Sequence, residues 1–228
     1  MAIIPEIQDR LTLAYPPSSN SALFRAVQEG SFLVDHLFEG ESFLKNAIGR
    51  DLRGHLRRVG ICHQIALYCQ RGDLPFIATM QPMPKGNWHW LEIVSTGALA
   101  HVCRTDDTYK FPVEADSRQD FRLRLQPDLL SWREDERDIK KIIREIPKLY
   151  AWLTFRIAQD GKVSHLCWAA PAVDTDEYIA HINVLKTLET SRSIPEVSMT
   201  PDPAEALRLK DHIAKAIDIK SPDKKAGA

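Results

Sequence analysis

Apolar residues recur with the 3.6-residue period of an α-helix over most of the first 70 positions. Residues 23–37 have this spacing and predict one helix, and residues 41–70 predict a second. Within the second helix, the residues expected to face the core are Leu44, Ile48, Leu52 and Leu56. Because Gly54 and Gly60 each cost up to about 1 kcal/mol inside a helix, we expect this helix to break near one of them.

Short apolar segments after residue 73 predict β-strands at residues 76–80, 88–94 and 98–104. The last two strands form a hairpin around a loop that ends in Gly97, since glycine supplies the positive φ that such loops need. Both strands are apolar on both faces, which predicts an interior position in the sheet and a buried Trp90.

A second hairpin is predicted from residues 150–158 and 163–169, which flank the turn dipeptide Asp160-Gly161. This turn sets a register in which Arg156 pairs with His165 and Thr154 pairs with Cys167. An arginine beside a histidine on an accessible face could bind phosphate or assist acid–base chemistry. The alternative is that these residues form only the polar outer face of the sheet.

Helical spacing returns in the second half of the chain. A capping box at Ser131 begins a predicted helix at residues 132–146, and two further helices are predicted at residues 175–188 and 204–217. A strand is expected near residues 121–125.

The order of these elements predicts an α+β fold with a mainly antiparallel sheet, N-terminal helices, the central helix and C-terminal helices. Residues 1–190 are expected to form one domain. Residues 191–228 are expected to form a linker, an amphipathic helix and a disordered tail. That helix is the predicted contact for a protein partner or for a second copy of the chain.

The 228 residues are 44% hydrophobic and 27% charged, which is sufficient for a packed interior. The first residues lack the pattern of a secretory signal, and no segment has the apolar length of a spanning helix. We therefore expect a cytoplasmic protein with no membrane contact. The four cysteines form no CxxC pair, so the sequence predicts neither a disulfide framework nor a zinc ribbon.

No phosphate-binding, dinucleotide-binding or nucleophile-elbow motif is present in the sequence, and neither is a zincin or EF-hand motif. P-loop NTPases, ordinary dinucleotide enzymes, serine hydrolases and zincins therefore lose most of their support. No cofactor is expected.

The hairpin at residues 88–104 contains zinc-compatible side chains. In its predicted register, His89 lies opposite Cys103, and both share one sheet face with His101. No fourth ligand is marked and aliphatic residues surround the three, so we expect no bound metal. Arg104 is placed on the other face, beside Trp88, as a cation–π pair or a stacking platform.

Positive charge is concentrated between residues 50 and 58. If the apolar stripe of the second helix faces the core, three of its arginines point to solvent and can each meet a backbone phosphate. The candidate nucleic-acid-binding residues are Arg50, Arg53, Arg57 and Arg58. The alternatives are a solvated helix face, or an ion-pair partner for Asp106, Asp107 or the acidic segment at residues 134–138.

These patterns favour a cytoplasmic binding or regulatory protein acting near nucleic acid, of the kind found in bacterial toxin–antitoxin or phage-defence modules. One alternative is a metal-independent ribonuclease or phosphoryl-transfer enzyme. Its candidate catalytic residues are His89, His101, Arg104, Arg156 and His165. A third interpretation is a structural subunit that functions only through protein–protein contacts.

Overall fold

The computed structural model describes residues 3–83, 89–105, 110–112, 116–125, 149–173 and 175–191. The helices in these ranges are α1 Ile3–Ala14, α2 Asn20–Gly40, α3 Ala47–Arg71, α4 Asp116–Leu125 and α5 Val184–Thr190. The strands are β1 Ile77–Pro82, β2 His89–Ser95, β3 Ala98–Arg104, β4 Leu149–Ile157, β5 Val163–Pro171 and β6 Tyr178–Asn183. The predicted helices at residues 132–146 and 204–217, and the linker and tail, lie outside the described residues.

The six strands form one sheet in which they follow their order in the chain. Neighbouring strands are antiparallel, except that β3 and β4 are parallel. The predicted α+β class with a mainly antiparallel sheet is therefore confirmed. The interior position of β2 and β3 and the burial of Trp90 are confirmed too.

The two faces of the sheet have different partners. Apolar residues of α1, α2 and α3 pack on one face, here called the helix face, together with Leu91, Ile93 and Val102. The opposite face, here called the aromatic face, holds Tyr150 and Trp152, and Phe121 of α4 packs against it. No helix in the described part of the chain has both the length and the apolar character that crossing a membrane requires.

Helix α3 is continuous over 25 residues, so the predicted break is wrong. The reason is its crossing with α2, where a Cβ placed on Gly60 would lie 2.5 Å from the carbonyl oxygen of Gly30. The two backbones touch at this point, and only glycine allows such an approach. Helix-breaking tendency is thus outweighed by packing.

The predicted core stripe of the second helix is wrong at Ile48 and Leu52, whereas Leu44 is buried and Leu56 packs against the same cluster. Ile48 is 73% exposed and Leu52 is 45% exposed, whereas Ile61 and Ile65 are fully buried. Helix α3 begins at Ala47. Asn46 caps it, because its side chain accepts a hydrogen bond from the Gly49 N–H. Contacts with α2 fix the rotation of α3 about its axis. The spacing of apolar residues in the sequence does not reveal these contacts.

Two short elements differ from their sequence assignments. Residues 121–125 belong to α4 and not to a strand. The predicted helix at residues 175–188 is strand β6 followed by α5. Because β6 completes the edge of the sheet beside β5, pairing with a partner decided its conformation rather than local periodicity.

The β2–β3 hairpin is one residue tighter than predicted. Ser95 pairs with Ala98, which leaves a two-residue turn with Gly97 at φ +70°. Glu92, and not Leu91, therefore lies opposite His101. The one-residue shift moves every later pair of this hairpin.

The β4–β5 hairpin has the predicted pairs, with Arg156 opposite His165 and Thr154 opposite Cys167, but the register shifts by one residue next to the turn, where Ile157 lies opposite Val163. Its turn is held by α2, because Gln28 Nε2 and Ser31 Oγ each donate a 2.9 Å hydrogen bond to the carbonyl oxygen of Gly161. These buried contacts fix the turn to the helix layer.

Candidate functional site

A cavity of about 480 Å³ lies at the end of β3, between α3, the segment at residues 110–112 and the start of α4. Four cationic side chains line it, and no acidic side chain does so among the described residues. The cations are Arg58, Arg104, Lys110 and Arg118. Two imidazoles, His55 and His101, complete its polar lining.

The cavity has a buried inner end and an exposed mouth. Trp90 and His101 are 8% and 4% exposed and lie on the aromatic face of the sheet, beside buried Cys103. At the mouth, His55, Arg104 and Lys110 are exposed to solvent. A ligand that enters would therefore pass cationic groups before it reached the aromatic end.

Arg58 extends from α3 toward the sheet. Its Nη2 atom donates a 3.2 Å hydrogen bond to the main-chain carbonyl of His89. It also approaches the thiol of Cys62, whose pKa is raised to about 11 by burial, an effect that the Arg58 charge opposes. Contacts to the sheet and to its own helix therefore hold the guanidinium of Arg58 in place.

Arg104 ends β3 and places its guanidinium against α3 at Gly54. A Cβ at position 54 would lie 2.5 Å from Arg104 Nη1, so the glycine provides the space that the guanidinium occupies. Neither Arg104, Arg58 nor Lys110 forms an ion pair with any residue in the described ranges. These three charges can be neutralised by a bound anion.

His101 is enclosed by aromatic rings. Its ring centroid lies 5.0 Å from Trp90, 4.7 Å from Phe121 and 5.4 Å from Tyr150, and its Nδ1 atom is 2.9 Å from the Tyr150 hydroxyl. Burial lowers the pKa of His101 to about 3, and the charges of Arg118 and Arg58 act in the same direction. The imidazole is therefore neutral at neutral pH.

We expect His101 to make the protein sensitive to acid. Its pKa is about 3 in the folded state and near 6.5 in the unfolded chain, so between these values unfolding takes up a proton. Stability should fall as pH drops below about 6.5, by about 1 kcal/mol per pH unit from this group alone. Urea unfolding between pH 7 and pH 4.5 measures how the free energy of unfolding changes with pH. In His101→Gln, the number of protons taken up on unfolding should be smaller by nearly one. An equal pH dependence of stability in the parent and in His101→Gln would contradict the low pKa of His101.

The other candidate catalytic residues lie outside the cavity lining. His89 is exposed and alternates with Leu91 and Ile93, so its side chain is on the helix face of the sheet. His165 is buried on the aromatic face, with Nε2 3.0 Å from Thr154 Oγ1, and Arg156 opposite it is exposed. Of the five, the structure brings only His101 and Arg104 to the same cavity.

The predicted grouping of His89, His101 and Cys103 on one sheet face is wrong. His101 and Cys103 share the aromatic face, but the one-residue change of register moves His89 to the helix face. Within the ranges that the structure describes, no three His, Cys, Asp or Glu side chains are grouped as metal ligands would be. Burial raises the pKa of the Cys103 thiol to about 11.

The four α3 arginines do not form one solvent-facing ridge. Asp35 of α2 accepts hydrogen bonds from Arg53 Nη2 at 2.8 Å and from Arg57 Nη2 at 2.9 Å. The Arg57 side chain is 13% exposed and that of Arg53 is 42% exposed. Arg50 is exposed, and only Arg58 reaches the cavity. The predicted ridge is wrong because Asp35 on the neighbouring helix neutralises Arg53 and Arg57 in the middle of the cluster.

Replacing Asp35 with Asn should destabilise the fold by about 1–2 kcal/mol, because two guanidiniums in the α2–α3 contact lose their common carboxylate. The expected loss of stability is modest because Arg53 is partly exposed, and solvent weakens its ion pair with Asp35. Equilibrium urea unfolding gives the value. The matched control is Asp51→Asn on the exposed side of α3, which should change stability by less than about 0.5 kcal/mol. An equal loss in both variants would show that the Asp35 contact contributes little.

Three lining residues were not among the sequence candidates. His55 lies among the arginines of α3, and Lys110 and Arg118 lie in a polar stretch without periodicity. They join Arg58 and Arg104 only because β3, the segment after it and α3 meet in space. No spacing in the chain could have revealed this contact.

No family model, curated protein or solved structure matches this chain. The chemistry of the cavity therefore rests on its own residues.

Proposed function

We propose that this protein is a binding or regulatory protein that takes a phosphate-bearing ligand, nucleic acid or nucleotide, into the cavity at the end of β3. The supporting observation is the cavity lining, which combines four cationic side chains with no acid among the described residues. Guanidinium groups are planar donors that match phosphate oxygens in pairs. The proposal keeps nucleic acid as the partner but moves the contact from the α3 ridge to the cavity.

Binding is favoured over catalysis by the state of the two buried reactive groups. His101 has a pKa near 3, and the Cys103 thiol has a pKa near 11. General acid–base catalysis at neutral pH is most effective with a group whose pKa is close to 7. Neither group meets that condition, so neither is favoured as a general acid or base at neutral pH.

A metal-independent ribonuclease or phosphoryl-transfer enzyme is the second candidate. It is favoured by His55, an exposed imidazole at the mouth of the same cavity as Arg104. An imidazole beside guanidiniums can exchange protons while the charges hold a phosphate. Cleavage of labelled RNA that His55→Ala abolishes would replace the binding proposal with this one.

The proposed setting is the cytoplasm. The assignment to a toxin–antitoxin or phage-defence module, and the contact of residues 204–217 with a protein partner or a second copy, stay predictions from the sequence.

Arg104→Ala should weaken binding of a short single-stranded RNA by about 10-fold or more, because a charge-assisted hydrogen bond contributes about 1.5–3 kcal/mol. Arg104 is exposed, so the variant should fold normally. The slope of log affinity against log salt should also fall by about 0.7, the value for one phosphate contact on a single strand. Fluorescence anisotropy at several salt concentrations measures both quantities.

The control is Arg50→Ala, which removes another exposed arginine that does not line the cavity. Its affinity and salt slope should equal those of the parent. If Arg50→Ala weakens binding and Arg104→Ala does not, the contact is on α3 and the cavity proposal is wrong. If the parent binds no RNA, DNA or nucleotide at low salt, the phosphate proposal fails altogether.

A further inference from the structure

In the described part of the chain, buried side chains form the inner end of the cavity. Its deepest lining comes from Trp90, His101 and Cys103, which are all buried against the aromatic face of the sheet. Phe121 and Tyr150 pack behind His101 and leave it no second exposed side. Among the described residues, the exposed lining of the cavity is its cationic mouth. A ligand that enters there inserts by one end or is small.

The volume of the cavity agrees with a small group. About 480 Å³ lies within the range of roughly 300–1,000 Å³ that is usual for small-molecule sites. A nucleic-acid duplex is far wider than such a cavity, since its major groove alone measures about 12 Å across. A duplex therefore does not fit the cavity, whereas a single nucleotide unit belongs to the small-molecule class that such volumes accommodate.

The charge of the cavity exceeds what one internal phosphate can neutralise. An internal phosphodiester carries a single negative charge, whereas a terminal phosphate monoester carries about −1.5 to −2 at pH 7 and has three acceptor oxygens. Arg58, Arg104 and Lys110 have no ion-pair partner among the described residues. A dianion relieves the repulsion between these cations better than a monoanion does.

Two of the cations are held in place before any ligand arrives. Arg58 is fixed by the His89 carbonyl, and Arg104 occupies the space left by Gly54. They extend from different elements, α3 and β3, toward the same cavity. Such preorganised donors favour a compact group with several oxygens over a flexible chain that offers one at a time.

We infer that the cavity binds a terminal phosphate monoester on a nucleotide, supplied either by a free mononucleotide or by the end of an oligonucleotide. The inference rests on the proposed function and narrows its ligand. The phosphate occupies the region between Arg58 and Arg104.

Calorimetric titration of the full chain with four RNA hexanucleotides of one sequence tests this. They carry no terminal phosphate, a 5′-phosphate, a 3′-phosphate, or the methyl ester of whichever phosphate binds better. We expect one phosphorylated form to bind at least 10-fold tighter than the unphosphorylated form. The methyl ester should lose most of that gain, because it has nearly the same size but only one charge.

Substitutions of single arginines test where the terminal phosphate binds. Arg104→Ala should remove the preference for the terminal phosphate, while Arg50→Ala should retain it. Arg58→Lys keeps the charge but loses the guanidinium fork, and it should lower the preference less than Arg58→Ala does. A preference that persists in Arg104→Ala would place the phosphate elsewhere and overturn the inference.

Competition distinguishes the two sources. Adenosine monophosphate that displaces the hexanucleotide as well as unlabelled hexanucleotide does would identify a free nucleotide as the ligand, and weaker displacement would identify a strand end. Inorganic phosphate that competes as well as adenosine monophosphate would show that no nucleoside is recognised, which overturns the inference.

The two proposals fail in different ways. If all four hexanucleotides bind equally and Arg104→Ala weakens them all, the proposed function stands and the terminal-phosphate inference is wrong. If neither the hexanucleotides nor adenosine monophosphate bind, the proposed function itself is wrong.

Discussion

Trp90→Ala should lower the free energy of unfolding by about 3–5 kcal/mol, the usual cost of truncating a large buried aromatic residue. Trp90 is 8% exposed on β2, and its ring lies 5.0 Å from His101 and 5.4 Å from Phe121. Removing the indole would leave a void beneath the cavity and take one wall from the His101 enclosure. Urea unfolding at pH 7 measures the loss.

The control for this variant is Phe43→Ala. Phe43 is also aromatic but is 65% exposed, so its removal should cost less than about 0.5 kcal/mol. Trp90→Phe should recover part of the stability, because a ring remains between His101 and Phe121. A loss below about 1 kcal/mol in Trp90→Ala would show that this end of β2 is not packed as described.

Gly60→Ala should destabilise the protein by about 1–3 kcal/mol, although alanine is the better helix former by about 1 kcal/mol. The new Cβ would lie 2.5 Å from the Gly30 carbonyl oxygen and 2.8 Å from Val34 Cγ2. Both distances are shorter than van der Waals contact, so α2 and α3 must move apart. Gly60→Val should cost more, since two further methyl groups enter the same contact.

Gly40→Ala is the matched control, because it makes the same chemical change in the last residue of α2. No atom lies within 4 Å of a Cβ at that position, so the variant should be neutral or slightly more stable. Thermal and urea unfolding should therefore show a loss of stability in Gly60→Ala and no loss in Gly40→Ala. A stabilised Gly60→Ala would mean that the two helices do not touch at this point.

The sequence by itself determined the elements whose signals are local. Interior strands β2 and β3 were identified from apolar residues on both faces, and the Arg156–His165 and Thr154–Cys167 pairs of β4 and β5 followed from Asp160-Gly161. A turn dipeptide fixes pairing within a few residues, and no distant contact is needed to apply it. The α+β class followed from the order of these elements.

Local signals failed where a neighbour in space decided the outcome. Helix α3 was given a core stripe through Ile48 and Leu52, but contacts of Gly60 and Arg57 with α2 turned these two residues to solvent. Strand β6 was predicted as a helix because its apolar spacing fits both periods, and only the free edge of β5 favours the extended form.

For the candidate site, too, the sequence identified some of the residues and only the tertiary structure identified the others. The charge count marked Arg58, and the hairpin marked His101 and Arg104, so residue types pointed to phosphate before any fold was known. The sequence could not show that Asp35 neutralises Arg53 and Arg57, or that Lys110 and Arg118 join the cavity. Those facts depend on contacts between segments far apart in the chain, which the tertiary structure sets through helix crossing and strand register.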